Sequence, residues 1–218
     1  METGLQYDKD FADQVWKKEF LYPTTLIRIG VLKQAELRVN ADYRRQRNES
    51  DGLGSNLPFA EEKGFNNVRI GTKISLFKGK GGLPKIGFIG NITLPVGNEE
   101  FRPPHAAPEG RFVFNNKISE KVEIQYNAGY RKRKEEEKYF GEAFYSASAI
   151  LKLSEKLKYS VEFVGRKPKE ASARNLLDTA LQYKVLPNLQ LDAIAGTGLT
   201  DAANDFFAGG GVTWRLPR

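Results

Sequence analysis

A two-residue alternation of apolar and polar side chains runs through almost the whole sequence. In the clearest segment, one face carries Ala35, Leu37, Val39, Ala41 and Tyr43, and the other carries Glu36, Arg38, Asn40, Asp42 and Arg44. Successive side chains of a β-strand point to opposite faces of a sheet. This segment is therefore predicted to be a strand with one apolar and one polar face. Similar segments begin at Val122, Leu157, Leu177 and Leu189.

The alternation predicts about twelve strands along the chain. They are expected near residues 1–10, 18–32, 35–46, 66–79, 84–96, 110–119, 121–132, 138–154, 156–166, 173–186, 188–200 and 205–217. Most are longer than the roughly five or six residues usual in soluble sheets. They match the roughly 9–11 residues that a tilted strand needs to cross a bilayer. The predicted fold is all-β, a closed antiparallel transmembrane β-barrel that takes up residues 1–218 as a single domain.

The connections between the predicted strands alternate in length. Tight turns are expected at residues 33–34, 79–82, 119–120, 154–155 and 186–188, and longer polar connections at 47–64, 98–109 and 131–138. Outer-membrane barrels have short periplasmic turns and longer extracellular loops around an even number of strands. The pattern therefore predicts a barrel in the outer membrane of a Gram-negative bacterium, with both chain ends on the periplasmic side.

Alternation alone leaves the direction of the apolar face open. A soluble cup would turn it inward, but about eight strands already enclose a small ligand, so twelve would leave a large apolar void. A soluble two-sheet sandwich would bury the apolar faces against each other, but it has sheet edges to protect and no reason for alternating connections. A membrane barrel leaves no backbone group unpaired in lipid. The mean hydropathy of −0.51 fits a barrel, because only every second strand residue faces lipid.

The polar face is predicted to line the lumen, since a basic side chain at the bilayer midplane costs about 2–4 kcal/mol. The expected lumen-lining residues are Arg28, Glu36, Arg38, Asp42, Arg69, Lys73, Arg111, Glu123, Arg131, Glu142, Lys152, Glu162, Asp178, Asp192 and Arg215. Basic side chains outnumber acidic ones on this face, which favours anions if the lumen conducts. The same charges could instead pair across a narrow bore and close it. The sequence leaves both alternatives open.

Motifs for other functions are weak. The run Gly79-Lys80-Gly81-Gly82 lacks the spacing of a phosphate-binding loop and is typical of a hairpin turn. The basic run 131–134 is followed at once by three glutamates, which indicates a solvated loop tip rather than a nucleic-acid site. His105 is the only histidine and lies in a proline-rich loop, an improbable place for a metal ligand or for the Ser–His pair of a membrane phospholipase. No catalytic residue, metal or cofactor is expected.

Both ends of the chain resemble a known family. Residues 1–7 (METGLQY), the segment Leu21–Gly30 with Glu36-Leu37-Arg38, the segment 186–192 and the segment 205–211 with Trp214-Arg215 are similar to its opening strand, first hairpin and last strands. The family comprises Gram-negative outer-membrane barrels, common in Bacteroidota and labelled transporter or meta-pathway of phenol degradation. The resemblance implies transport of small molecules and no settled catalytic residues. Members normally carry a signal peptide and a short segment before the opening strand, and both are expected to be missing from this chain.

Three functions follow from these observations as hypotheses. The first is an outer-membrane channel or transporter that passes small solutes through a charged lumen. The second is a closed scaffolding barrel that binds partner proteins in a larger outer-membrane complex. The third and weakest is a surface enzyme that processes lipids. The expected partners are outer-membrane lipid, an unidentified solute and, in the second case, other outer-membrane proteins; nucleic acid is not expected.

Overall fold

The computed structural model describes residues 1–12, 15–50, 60–135 and 138–216, and it forms a closed antiparallel barrel of twelve strands. The strands are β1 (Glu2–Ala12), β2 (Val15–Leu32), β3 (Ala35–Ser50), β4 (Ala60–Phe77), β5 (Lys85–Thr93), β6 (Ala107–Lys117), β7 (Val122–Glu135), β8 (Lys138–Lys152), β9 (Leu157–Pro168), β10 (Arg174–Leu186), β11 (Leu189–Gly198) and β12 (Phe206–Trp214). Each strand pairs with its sequence neighbours. The predicted fold class and strand number are confirmed.

The barrel closes where β1 pairs with β12. The antiparallel register runs from Glu2 opposite Thr213 to Lys9 opposite Phe206. The glycine run 209–211 lies on this seam, where the two backbones approach each other closely. A Cβ atom on Gly4 would lie 2.5 Å from the carbonyl oxygen of Gly210, so the two backbones meet where neither strand has a side chain. Closure removes the free sheet edges that a sandwich would leave, which excludes that alternative.

The apolar face points outward. On β10, the outer residues Leu177, Leu181 and Tyr183 are exposed, whereas Asp178 between them is buried. Exposed large apolar side chains occur on every strand, including Leu37, Ile70 and Leu191, which the sequence assigned to the lipid face. This distribution excludes the soluble cup with an apolar interior. No helix among the described residues is long and apolar enough to cross a membrane.

The polar face lies on the inside of the barrel. Arg69 on β4 and Glu109 on β6 are separated by β5, yet their Nη1 and Oε2 atoms are 4.0 Å apart. Between them, Asn91 on β5 donates a hydrogen bond of 3.0 Å to Glu109. Side chains from three successive strands can converge in this way only on the concave side of a curved sheet. The interior is therefore built from ionic and amide groups.

The strands at the loop end are longer than the sequence predicted. The segment 131–138 was expected to be a solvated loop tip, but Arg131 to Glu135 continue β7 in register with β8. The physical reason is that an antiparallel hairpin keeps its backbone pairing beyond the membrane, where charged residues can occupy both faces. Likewise β3 continues to Ser50 and β4 begins at Ala60, inside the predicted loop 47–64. The centre of that loop, residues 51–59, lies outside the described residues.

The direction of the two faces can be tested with adjacent residues of β10. Replacing Leu181, which is 46% exposed on the outer face, by arginine is expected to reduce the free energy of unfolding by about 2–4 kcal/mol, because the charge enters hydrocarbon. The matched control is Gln182→Arg, an inward position opposite Asp192. Denaturant titration in lipid vesicles measures both variants. An equal or larger loss for the Gln182 variant would show that the faces are reversed.

Candidate functional site: the ionic interior

A basic wall lines the interior along β2 to β6. Its cations are Arg28, Arg38, Arg69, Lys73 and Arg111, and its acids are Glu2, Glu36 and Glu109. Some of these groups are well paired: Arg28 binds Glu2, and Nη1 of Arg38 lies 2.7 Å from Glu36. Others share a partner, because Arg69 and Arg111 approach the single carboxylate of Glu109 at only 4.0 and 3.9 Å. Positive charge is therefore in excess on this wall.

Arg69 is held in place by an amide. Its Nε and Nη2 atoms donate hydrogen bonds of 2.9 and 2.6 Å to Oδ1 of Asn40 on the adjacent strand β3. Asn40 in turn donates to the backbone oxygen of Thr25 at 2.9 Å and to Asp42 at 3.3 Å. The guanidinium plane of Arg69 is thereby fixed by the strand register. Asp42 itself is buried behind this group.

A second cluster surrounds Glu142 on β8, whose side chain is fully buried. Arg131, directly opposite on β7, donates to Oε1 of Glu142 through both Nε and Nη2. Arg133 lies 3.8 Å from the same oxygen. One carboxylate thus faces two guanidiniums, and its Oε2 atom has no hydrogen-bond partner among the described residues.

The opposite side of the interior, from β9 to β12, carries charges of both signs. Asp178 on β10 stands opposite Glu162 on β9 and Gly196 on β11. Asp192 on β11 accepts hydrogen bonds from Gln190 at 2.6 Å and from Thr213 at 3.3 Å. Nearer the loop end, Arg174 on β10 stands opposite Arg166 on β9. Acidic and basic side chains therefore alternate along this side of the interior.

Glycine creates space for an aromatic ring on the β9–β12 side. Phe207 on β12 is buried and lies directly opposite Gly196. A Cβ atom on Gly196 would lie 2.4 Å from the Phe207 ring and 2.7 Å from Cβ of Asp178. Gly196 therefore allows the ring of Phe207 to pack inside the barrel.

Two connections close over the barrel at the loop end. In the connection from β5 to β6, Phe101 is 8% exposed, and the guanidinium carbon of Arg44 lies 4.8 Å from its ring centre. In the connection from β11 to β12, Asn204 donates a hydrogen bond of 3.2 Å to Asp8. These contacts narrow the entrance with side chains that reach inward from the rim.

His105 lies in the same β5–β6 connection. It is exposed, and its ring centre is 6.3 Å from that of Tyr139 in an edge-on contact. Among the described residues, no group of three acidic, histidine or cysteine side chains is arranged to hold a metal ion.

Some predicted lumen residues lie apart from these clusters, towards the turn end. Glu123 on β7 accepts a hydrogen bond of 3.2 Å from Asn115. Lys152 pairs with Glu155 of the next turn at 2.7 Å, and Arg215 follows the last strand and is exposed. They surround the turn-side opening rather than the centre of the interior.

The sequence analysis missed two members of the interior clusters. Glu109 fell just before the strand predicted at 110–119, and Arg133 fell in the supposed loop tip. Each lies two positions from an assigned lumen residue, Arg111 and Arg131 respectively. Extending the two-residue period one further step would have found both.

Two adjoining cavities lie inside the barrel. The smaller, of about 70 Å³, is lined by Leu26, Arg38, Asn40, Arg69, Asn91 and Arg111. The larger, of about 260 Å³, runs along the β1–β12 seam beside Glu2, Gly4, Asp192, Ile194 and Gly211. Leu26 and Asn40 line both cavities, so the two spaces lie side by side.

Comparisons with known proteins place the chain among outer-membrane barrels. The profile of the family described as "Putative MetA-pathway of phenol degradation" matches residues 2–216. No curated protein matches the sequence significantly.

Three solved structures share the fold. An outer membrane channel from Pseudomonas putida F1 has 10% identity and a TM-score of 0.67, over 97% of this chain and 94% of its own. The KdgM porin in complex with disordered oligogalacturonate has 10% identity and a TM-score of 0.61, over 100% of both chains. The translocator domain of autotransporter NalP from Neisseria meningitidis has 10% identity and a TM-score of 0.62, over 99% of this chain and 87% of its own.

The Glu142 cluster yields a stability prediction. Glu142→Gln is expected to reduce the free energy of unfolding by about 3–5 kcal/mol, because it leaves buried guanidiniums without their counter-charge. The double variant Glu142→Gln with Arg131→Gln is expected to recover part of that loss. Denaturant titration in lipid vesicles measures both. A double variant that is less stable than the single variant would contradict the charge-pairing explanation.

Proposed function

The chain belongs to the family described as "Putative MetA-pathway of phenol degradation", and we propose that it is a channel that passes small solutes across the outer membrane. As an outer-membrane β-barrel it presents its apolar face to lipid and its ionic face to its own axis. The solute path runs along that ionic face, between the β2–β6 wall and the β9–β12 side. The predicted lumen residues, from Arg28 and Arg38 to Asp178 and Asp192, line this path.

One observation carries the proposal: pairing inside the barrel is incomplete. A barrel that served only as a scaffold would gain stability from packing its interior, since well-packed apolar groups are often at least as stable as buried ion pairs. Here instead charged groups border adjoining cavities, and Arg69 and Arg111 share one distant carboxylate. Cavities with polar walls hold water, and water is what an ion needs along its path.

The proteins of similar fold support a transport role. The Pseudomonas putida F1 protein is an outer membrane channel, and KdgM is a porin. In this proposal the chain has no chemistry of its own, which agrees with the exposed position of His105 at the rim. Binding of partner proteins in a larger complex stays a prediction from the sequence, as does the Bacteroidota-type origin that the end motifs indicate.

The proposal predicts ion conduction with a preference for anions. In planar bilayers, under a gradient of potassium chloride, the purified barrel is expected to give discrete current steps. Its zero-current potential should lie towards the chloride equilibrium potential, because positive charge is in excess on the β2–β6 wall. A barrel that inserts, resists denaturation and gives no current would contradict the proposal and favour the closed scaffold.

A pair of lysine variants tests whether the interior sets this selectivity. Lys73→Gln removes a charge from the basic wall, and Lys121→Gln removes the same charge from an exposed turn. The first should move the zero-current potential towards that of potassium. The second should have little effect at about 0.1 M salt, where exposed charges are screened within roughly 10 Å. Equal shifts of the zero-current potential in the two variants would show that charges at the turn-side opening, and not those of the interior, set the selectivity.

A further inference from the structure

Three guanidiniums border the smaller cavity of the interior. Arg38, Arg69 and Arg111 come from β3, β4 and β6, and the amides of Asn40 and Asn91 complete the polar lining. Among the described residues, no carboxylate lines this space. Its volume of about 70 Å³ exceeds that of two water molecules in the liquid, at about 30 Å³ each. A carboxylate group is of this size.

The hydrogen-bonding capacity of these guanidiniums is not used up. The Nε atom of Arg111 is buried and has no hydrogen-bond partner among the described residues. Arg111 and Arg69 lie 3.9 and 4.0 Å from Glu109, beyond hydrogen-bond distance. A buried donor without an acceptor is costly, so this site gains from an anion that supplies one.

The local charge balance specifies one negative charge. The three guanidiniums and the neighbouring Lys73 carry +4, and the carboxylates of Glu36, Asp42 and Glu109 carry −3, which leaves +1. Arg38 is already bound to Glu36 at 2.7 Å, whereas Arg69 and Arg111 share Glu109 at about 4 Å. A planar carboxylate matches the fork of an arginine side chain and would neutralise that excess.

The adjoining larger cavity has a different lining. It combines the apolar side chains of Leu26 and Ile194 with the backbone of Gly4 and Gly211, and its acids are Glu2 and Asp192. An uncharged group can occupy this space, whereas a second negative charge would be repelled by Asp192, because Glu2 is already paired with Arg28. The two adjoining cavities thus suit a molecule with one charged end and an uncharged body.

We infer that the two cavities form a binding site for small monocarboxylates, with the carboxylate between Arg69 and Arg111 and the uncharged body along the β1–β12 seam. This inference rests on the proposed channel function and names the class of solute that the channel favours. Arg111 is the main specificity residue, since its Nε atom gains a partner only when the anion is bound.

The test measures how potassium hexanoate blocks the chloride current of single channels in planar bilayers. Hexanoate is expected to reduce the wild-type current in a saturable way. Arg111→Gln should raise the half-blocking concentration by about tenfold, the scale of one lost hydrogen bond to a charged group. Arg111→Lys keeps the charge without the planar fork and should give an intermediate value.

Arg45→Gln is the matched control. It removes the same charge, but Arg45 is exposed, pairs with Glu61 at 2.7 Å and lines neither cavity. Its half-blocking concentration should stay within about threefold of the wild type, because exposed charges are screened within roughly 10 Å at about 0.1 M salt. Equal effects of the Arg45 and Arg111 variants would reduce the site to a general positive potential and overturn the inference.

Two further solutes separate the possible ligands. Potassium succinate, with two charges, should block more weakly than hexanoate because Asp192 repels its second carboxylate. If potassium phosphate blocks more strongly than hexanoate, the site accepts phosphate groups and the carboxylate assignment is wrong. If the channel conducts but hexanoate has no effect, the inference fails while the proposed function stands.

A barrel without any current would overturn the proposed function separately. In that case calorimetric titration of hexanoate into the detergent-solubilised barrel decides the site on its own. If the wild type gives a saturable heat of hexanoate binding and the Arg111→Gln variant does not, the result supports the site. If the wild type gives no heat of binding, the site is overturned. Retained heat-modifiable migration on gels shows that each variant is folded.

Discussion

Backbone hydrogen bonding in a medium without water is the constraint on which the rest of this structure depends. Inside lipid each unpaired amide or carbonyl costs several kcal/mol, so a sheet that crosses a bilayer must have no edge. The pairing of β1 with β12 meets that requirement. At the seam, backbone pairing takes precedence over side-chain packing. The facing glycines of the two strands have no side chains, so the backbones can approach each other.

Closure then decides where every side chain goes. Because the strand period is two, one face of the closed sheet meets lipid and the other meets the axis, and no residue can change face without a register shift. The charged groups of this chain are numerous and have only the interior available. A narrow interior brings them close together, so Arg131 with Glu142 and Arg38 with Glu36 pair along the wall.

The sequence predicted what depends on the period and missed what depends on three-dimensional proximity. Alternation along 173–186 was sufficient to give β10 and its outward leucines. It failed at Arg131 to Glu135, because beyond the lipid both faces are charged and the apolar half of the pattern disappears. The burial of Phe101 beneath Arg44 had no signal at all, since it joins a connection to a strand more than fifty residues away. The sharing of Glu109 by Arg69 and Arg111 likewise depends on which strands are neighbours in the barrel, and the linear pattern does not contain this information.

Incomplete pairing of the charges inside the barrel links these points to function. If each cation had its own carboxylate, the interior would be a neutral, tightly hydrogen-bonded plug, and an ion would have to break pairs in order to pass. On the β2–β6 wall this pairing is incomplete, because the guanidiniums of Arg69 and Arg111 share the carboxylate of Glu109 at distances of about 4 Å. The open space lies beside this incompletely paired group. A passing anion then replaces water at arginines that are already fixed by Asn40 and by the strand register, so binding costs little reorganisation. Incomplete pairing on this wall lowers the stability of the barrel. It also provides a site that binds an anion and releases it again.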